Sequence, residues 1–395
     1  MNRDPSPETL DHEIAGPLTE LEPSATRAQA ARSTGGRLID ALVRSLLPVL
    51  LALVAGGVLL KVIGVDPLSF YGEVANYGLI GNGWQRSLIL MAPLLLVATG
   101  LIVVFRANLW NLGYEGQYLL GAVVAVGFAP TLTTALPLWL AFLVLALGAS
   151  VVAASWTIVP SVLKARYGTN EIITTLMMSF IAIGVVNLLI RGPFHADKLT
   201  VPQTQLLDAE RMLPHLPGTK IHVGFLVAIV VALGIHLLLT RTSFGLRVDI
   251  FGASPRTALH VGIDVPWMIV VLFLISGALI GLAGAVDSLG LWGYIRANWN
   301  PAYGAAIMPF VFLGRLNVLA TIPFVAFYAV LATGGAIASQ DVGLPVDFLL
   351  VIIALILLFM TLIEFFGTRR DLGESYLPRG LRNAWRRGSR TGGAA

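Results

Sequence analysis

The sequence predicts an all-α polytopic membrane protein with about ten transmembrane segments and both termini in the cytoplasm. Hydrophobic residues make up 56% of the 395-residue chain, charged residues make up only 12%, and the mean hydropathy is +0.81. A soluble domain carries about 25% charged residues and needs that polar surface to cover its core. Apolar runs of about 20 residues, long enough to cross a bilayer, recur along the chain. This composition argues against a cytosolic enzyme and against a nucleic-acid-binding protein.

Polar stretches flank the apolar region at both ends. Residues 1–44 are rich in Pro, Ser, Glu and Arg, lack apolar periodicity, and are predicted to be a disordered cytoplasmic tail. Their length argues against a cleavable signal peptide. Residues 367–395 carry seven arginines against two acidic residues, which predicts a basic cytoplasmic tail beside the last span. A nucleic-acid-binding role for these arginines is the less simple alternative.

Ten segments between the tails have the length or the apolar character of membrane spans. The third and the eighth carry polar or small residues and are expected to be partial or broken helices. The positive-inside rule predicts an external loop over 191–220 and a cytoplasmic loop over 241–265. The predicted segments lie near 45–64, 87–105, 109–129, 136–163, 172–190, 221–240, 266–287, 303–314, 318–338 and 346–366.

Several catalytic and metal-binding motifs are absent from the sequence. None of the four lysines follows a glycine, so the chain lacks a Walker-type phosphate loop. The six histidines form no H-E-x-x-H pair, no G-x-S-x-G elbow occurs, and there are no cysteines. We therefore predict no catalytic residue and no metal site, and transport becomes the leading class of function.

The most informative polar segment follows the second predicted span. Asn108, Asn111 and Glu115 are spaced i, i+3, i+7, so on a helix they would share one face, with Gln117 beside them. A carboxylate facing lipid is costly, so Glu115 should face protein, a broken backbone or an aqueous path. These four residues are candidates for a translocation pathway. The alternative is that Glu115 caps backbone amides where a helix breaks, and both roles can hold together.

A short helix is predicted between the sixth and seventh spans. Ser254 is a suitable N-cap, Pro255 suits the first helical position, and Gly262 is a suitable terminating residue. The helix would carry Arg256 and Leu259 on the cytoplasmic side. It is either an ordinary loop element or a docking element for a soluble partner.

The seventh span and the segment after it carry small and aromatic residues. Gly277 and Gly281 form a small-x-x-x-small ridge, which favours close helix packing over a direct role in ligand binding. Asp287 at the end of this span could lie at the membrane interface or on a pathway. Trp292 and Trp299 could anchor the chain at the interface, the favoured interpretation, or could stack on a planar substrate.

Five motifs in order resemble the permease subunits of ATP-driven importers for nucleosides and simple sugars, a branch related to the ribose and branched-chain amino-acid permeases. The resemblance extends over about residues 50–366. It departs from the family pattern at Met308 and Pro309, which interrupt a stretch that is usually smooth and apolar. The matching segments are Asn-Leu-Gly-Tyr-Glu-Gly-Gln at 111–117, Gly-Thr-Asn-Glu with the following Ile-Ile-Thr-Thr-Leu-Met-Met at 168–178, the loop 245–263, the glycine-rich run 276–285 and the segment 303–317.

The resemblance implies a chain that forms half of a translocation pathway in a bacterial plasma membrane. Its partners would be two ATP-binding subunits, a second homologous permease and an external substrate-binding protein, with lipid around it and no nucleic acid. ATP and Mg would be bound by partner subunits, and this chain would hold no cofactor. The short helix, with Ser254, Pro255, Arg256, Leu259 and Gly262, would couple to the ATPase.

Two other classes remain as alternatives. Glu115 within an apolar segment is also compatible with an ion- or proton-coupled secondary transporter. A membrane-embedded transferase would need a paired acid and base near one membrane face, for which Glu115 and Glu171 are weak candidates. The motifs do not identify the substrate or the residues that contact it, nor whether the chain pairs with itself.

Overall fold

A computed structural model describes residues 34–196, 200–345 and 348–371. Within these ranges the chain folds into fourteen α-helices, one π-helix over Ser288–Trp292 and a 3₁₀ turn over Ala209–Arg211. The α-helices are α1 (Thr34–Ile63), α2 (Pro67–Leu79), α3 (Gly83–Arg106), α4 (Tyr114–Ala135), α5 (Leu138–Trp156), α6 (Ile158–Tyr167), α7 (Glu171–Arg191), α8 (Gly224–Arg241), α9 (Ser243–Ala253), α10 (Pro255–His260), α11 (Val265–Asp287), α12 (Tyr303–Leu313), α13 (Val318–Asp341) and α14 (Phe348–Asp371).

The helix lengths confirm the all-α polytopic fold class. The described ranges contain nine helical stretches that are long and apolar enough to cross a membrane. The predicted eighth segment is α12, whose eleven residues rise only about 16 Å at 1.5 Å per residue. That is about half of a bilayer's hydrocarbon thickness, so α12 is a partial span, as expected.

Three boundaries differ from the sequence prediction. The third span begins at Tyr114 rather than near 109, because residues 107–113 are not helical. α1 begins at Thr34, ten residues before the predicted end of the N-terminal tail, and residues 1–33 lie outside the described ranges. α14 continues to Asp371, and the rest of the basic tail is also outside them.

The sequence patterns did not predict helix α2. Its start has a recognisable signal, since Asp66 accepts a hydrogen bond from the backbone N of Ser69 at 2.9 Å and Pro67 takes the first helical position. The helix is 13 residues long and buries Phe70 and Val74. A helix this short does not register as a membrane span, so apolar length alone could not reveal it.

The chain divides into two compact units whose boundaries fall inside α1 and α14. Of the described residues, the smaller unit holds 34–49 and 358–371, and within it Gly367 lies against the guanidinium group of Arg44. The larger unit comprises residues 50–357. In this unit α11 packs against α3, α4 and α5, and nearly every residue from Met91 to Phe105 of α3 is buried.

Small residues set the close approach of α11 to its neighbours. A Cβ placed on Gly277 would lie 2.6 Å from the side chain of Thr157 and 2.9 Å from the carbonyl oxygen of Ala153. A Cβ on Gly281 would overlap Ala153 and lie 2.6 Å from the carbonyl oxygen of Ala149. The ridge on α11 is therefore in backbone contact with α5, and a larger side chain at either glycine would separate the two helices.

Candidate functional site

A buried hydrogen-bond network holds the non-helical segment 107–113. The Asn111 side chain is fully buried; its Nδ2 donates to Gln117 Oε1 at 2.9 Å and to Ser276 Oγ at 3.1 Å. Its Oδ1 accepts from Gln117 Nε2 at 2.9 Å and from the backbone N of Gly113 at 3.0 Å. Both donors and both lone pairs of the amide are thus used, and Asn111 joins the segment to α4 and α11.

Hydroxyl groups of α7 fix the other side of this segment. Thr175 Oγ1 accepts from the backbone N of Leu112 at 3.0 Å, and Ser179 Oγ accepts from the backbone N of Gly116 at 2.9 Å. The first amides of a helix have no partner within it, so α7 satisfies the start of α4. Thr175 and Ser179 were not predicted, because hydroxyl residues within an apolar span carry no distinctive sequence signal.

The expected common face of Asn108, Asn111 and Glu115 is wrong, because residues 107–113 are not helical. Asn108 has φ +56° and its side chain is exposed, whereas Asn111 is buried in the network. A left-handed residue such as Asn108 ends α3 and turns the chain. Among the predicted pathway residues, the structure brings Asn111 and Gln117 into direct contact and separates Asn108 from them.

Glu115 contacts the start of the partial span α12. Its Oε1 accepts from the backbone N of Ala305 at 3.3 Å. The residue preceding α12, Ala302, has φ +53° and supplies no side-chain cap. A carboxylate at a helix N-terminus interacts favourably with the helix dipole, so Glu115 has the capping role that its sequence position left open as an alternative. Its second oxygen, Oε2, is buried without a hydrogen-bond partner among the described residues.

Asp287 and the aromatic residues around it form a second group, which we term the Asp287 cluster: Tyr118, Asp287, Trp292, Trp299 and Tyr303. Asp287 is only 1% exposed, and its Oδ2 accepts from the hydroxyl of Tyr118 and from Trp292 Nε1, the latter at 3.1 Å. The ring centroids of Trp292 and Trp299 are 5.6 Å apart. Asp287 is therefore buried rather than interfacial. The indole N–H of Trp292 is directed to Asp287 while 39% of the residue is exposed, so its role as an interfacial anchor stays a prediction.

The ends of the short helix α10 follow the predicted signals. Ser254 Oγ accepts from the backbone N of Thr257 at 3.2 Å, Pro255 is the first helical residue, and Gly262 has φ +79° just after the end. Asp264 then caps α11 through the backbone N of Trp267 at 3.0 Å. The helix is thus separated from its neighbours by a cap on each side.

Most of the α10 surface is uncovered by the described part of this chain. Ala258 is buried, whereas Arg256 and Leu259 are exposed, Leu259 by 60%. Val261, just beyond the helix, is 58% exposed. Apolar side chains that protrude from a short polar loop are suited to contact with another protein.

An ion pair fastens the preceding helix α9 to the end of α3. Arg106 Nε and Nη2 donate to the two carboxylate oxygens of Asp249 at 2.5 and 2.8 Å. At Gly252 the same helix approaches the backbone of Ala107, where a Cβ would lie 3.1 Å from the Ala107 Cα. This bidentate geometry joins α9, and through Ser254 also α10, to the start of segment 107–113. The two residues are 143 positions apart, so no local pattern predicted the pair.

A buried histidine lies beside the π-helix. His222 is 1% exposed, and its ring lies 2.7 Å from the positions that a Cβ would take on Gly224 and Gly290. Neither ring nitrogen has a hydrogen-bond partner among the described residues. Burial, with a smaller contribution from nearby His215, lowers the pKa of His222 to about 4. The ring is therefore neutral at pH 7.

The sequence matches the family model described as the permease component of branched-chain amino acid transport systems over residues 84–361. It is 32% identical to the glucose ABC transporter permease protein TsgB13 of Haloferax volcanii, over 82% of this chain and 88% of the relative. It is 26% identical to the guanosine ABC transporter permease protein NupP of Bacillus subtilis (80% and 91% covered) and 25% identical to the nucleoside ABC transporter permease protein NupB of Lactococcus lactis (80% and 89%). No solved structure matches the chain significantly.

Proposed function

The chain belongs to the family of permease components of branched-chain amino acid transport systems, and we propose that this multi-pass membrane subunit forms half of the translocation pathway of an ATP-driven importer for a nucleoside or a simple sugar. The observation that carries the proposal is the family match over most of the membrane region. The names of the relatives, which include permeases for glucose, guanosine and nucleosides, support this substrate range.

The importer would contain several further subunits. Two ATP-binding subunits would bind ATP and Mg and hydrolyse the nucleotide, while this chain would hold no cofactor of its own. A second homologous permease would complete the pathway, and an external binding protein would deliver the substrate. We place the assembly in a bacterial plasma membrane.

The helix α10 would be the coupling element. Its exposed residues Arg256 and Leu259 would contact an ATP-binding subunit, and its caps at Ser254 and Gly262 would let it move as one body. Displacement of α10 would reach α3 through α9, because Arg106 holds Asp249. Coupled movement of packed helices is a common means of switching between two states.

The candidate pathway residues would act in two ways. Asn111 and Gln117 are buried in one network, so they would hold segment 107–113 in place rather than contact the substrate. Glu115 would stand where this segment meets α12, and exposed Asn108 would lie at the turn that follows α3. A displacement arriving at Arg106 would thus pass along the segment to Glu115.

The substitution Leu259→Asp tests the coupling role. It should weaken association with the ATP-binding subunits and reduce ATP-dependent uptake by about tenfold or more, since a charge replaces an apolar contact. Val342→Asp is the matched control, because Val342 is also aliphatic and exposed (37%). Val342 directly follows the C-terminal end of α13, whereas the loop that precedes α13 lies at the opposite end of that helix. If the two variants showed equal uptake and bound the ATP-binding subunits equally well, the assignment of α10 would be contradicted.

A secondary transporter driven by an ion or proton gradient is the second candidate. It is motivated by the buried oxygen Glu115 Oε2, which has no hydrogen-bond partner among the described residues. A transported cation or proton would bind to such an oxygen. Uptake that persists without ATP and collapses with the ion gradient would favour this candidate.

A further inference from the structure

Asp287 has one carboxyl oxygen that nothing in the described part of the chain satisfies. Its Oδ2 accepts from Tyr118 and Trp292, whereas its Oδ1 is buried without a hydrogen-bond partner. Buried polar atoms are nearly always paired, so each exception needs an explanation. A donor supplied from outside the chain would complete the hydrogen bonding of Asp287.

The surroundings of this oxygen disfavour an anionic ligand. Glu115 lies one helical turn from Tyr118 on α4 and contributes a second partnerless oxygen, Oε2. Within the described ranges, neither Asp287 nor Glu115 forms an ion pair with a lysine or an arginine. Two carboxyl groups without a paired cation repel a phosphate or carboxylate ligand in a poorly solvated site.

Aromatic rings line the same region. The Tyr118 ring is 5.6 Å from that of Tyr303 at an interplanar angle of 79°, and 6.2 Å from that of Trp299. Trp292 connects the buried carboxyl group to the surface, because its N–H reaches Asp287 while 39% of the residue is exposed. A ligand with a flat ring would find stacking surfaces beside unused acceptors.

The backbone fixes the position of Trp292. It is the last residue of the π-helix, and π-helical turns occur frequently at functional sites. Two backbone hydrogen bonds join the loop over 200–223 to this turn. The backbone N of Leu213 donates to the carbonyl oxygen of Leu289 at 3.0 Å, and the backbone N of Leu207 donates to the carbonyl oxygen of Gly293 at 3.0 Å. The aromatic wall is therefore attached to a braced segment.

We propose that the Asp287 cluster, with Glu115, is a substrate-recognition site for an uncharged nucleoside, an inference that rests on the permease function proposed above. The base stacks on Trp299, beside the indole of Trp292, which keeps its hydrogen bond to Asp287. Its ring N–H or amino group donates to Asp287 Oδ1, and Glu115 Oε2 accepts from a second donor such as a ribose hydroxyl. Nucleoside monophosphates are rejected because of their phosphate group, and leucine is rejected because it has no flat ring to stack.

Equilibrium binding to the purified permease–ATPase complex, without the external binding protein, tests the site. The probes are tritiated guanosine and, as competitors, guanosine 5′-monophosphate, leucine and glucose. We expect saturable guanosine binding that none of the competitors displaces. Because base–aromatic stacking contributes about 1–3 kcal/mol, Trp299→Ala should weaken binding about 5- to 150-fold, while Trp299→Phe should retain most of it.

Two further variants keep the test specific. Glu115→Gln keeps an oxygen acceptor for α12 and should weaken guanosine binding about tenfold, the effect of losing one hydrogen bond to a charged group. Trp139→Ala removes an indole that is 70% exposed and lies outside the cluster, and it should leave binding unchanged. Each variant is first checked for a monodisperse complex by size-exclusion chromatography, and Trp299→Phe covers the case in which Trp299→Ala does not fold.

Several results would overturn the inference: no saturable guanosine binding, equal binding by Trp299→Ala and Trp139→Ala, or displacement by the monophosphate or leucine. Displacement by glucose that depends on Trp299 would assign the site to sugars instead. ATP-driven uptake measured on the same preparations separates the two proposals. Intact uptake in Trp299→Ala would refute this site and leave the permease function standing, whereas wild-type protein that neither binds an ATPase nor uses ATP would refute the function itself.

Discussion

The most severe loss of stability is expected from Asn111→Ala. The substitution removes the four hydrogen bonds of the Asn111 side chain and leaves Gln117, the Gly113 amide and Ser276 with lost partners in a buried site. An unsatisfied buried polar group costs about 1–3 kcal/mol. With two or three such groups left, we expect a loss of about 4 kcal/mol, which corresponds to roughly 5 °C in Tm for a chain of this size.

Thermal denaturation of detergent-purified protein, followed by size-exclusion chromatography, measures this effect. Asn108→Gly is the matched control, because Asn108 is exposed, has φ +56°, and glycine accepts that backbone conformation. Its Tm should stay within about 2 °C of the wild type. Adding Gln117→Leu to Asn111→Ala should recover part of the loss, since an apolar pair leaves fewer unpaired groups. Equal Tm values for Asn111→Ala and Asn108→Gly would refute the network argument.

Three further predictions concern packing, pH and the link to α9. Gly281→Ala should lower Tm by several degrees because the added Cβ overlaps α5, whereas Gly148→Ala, which meets open space, should stabilise the helix by about 0.5–1 kcal/mol; the reverse order would contradict the packing. Between pH 6.5 and pH 4 the unfolded state binds a proton on His222, whereas the folded state, in which the pKa of His222 is about 4, does not. Lowering the pH over this window should therefore reduce the free energy of unfolding by up to about 3 kcal/mol. The corresponding slope in a plot of Tm against pH should be absent in His222→Phe. A double-mutant cycle of Arg106→Ala and Asp249→Ala should give a coupling energy of about 1 kcal/mol for this partly exposed pair, and strict additivity would argue against it.

Sequence alone was sufficient where one local signal decides the structure. An apolar run of about 20 residues specifies a membrane helix without reference to its neighbours, and nine such stretches lie in the described ranges. The caps of α10 are equally local, since Ser254 and Pro255 act within one turn. The partial nature of α12 was expected from the polar and small residues of its segment, which are also a local signal.

Sequence patterns failed to predict the structure where contacts between distant parts of the chain determine it. The spacing of Asn108, Asn111 and Glu115 is compatible with a helix, whereas segment 107–113 is irregular and is bonded to Ser276 and Thr175. Those partners lie on distant parts of the chain. The bidentate bond between α9 and the end of α3, and the inward direction of the Trp292 indole, depend on contacts of the same kind. The candidate residues could be named in advance, but their separate tasks could not.

The energy source for transport tests the central claim most directly. The permease is reconstituted in proteoliposomes with its ATP-binding subunits and binding protein, and tritiated guanosine uptake is measured with ATP, with a non-hydrolysable analogue, and with an imposed proton or sodium gradient. We predict uptake that requires hydrolysable ATP, is unaffected by collapsing the gradients, and is lost in Leu259→Asp. Uptake that proceeds without ATP and follows an ion gradient would contradict the assignment of this chain to an ATP-driven importer.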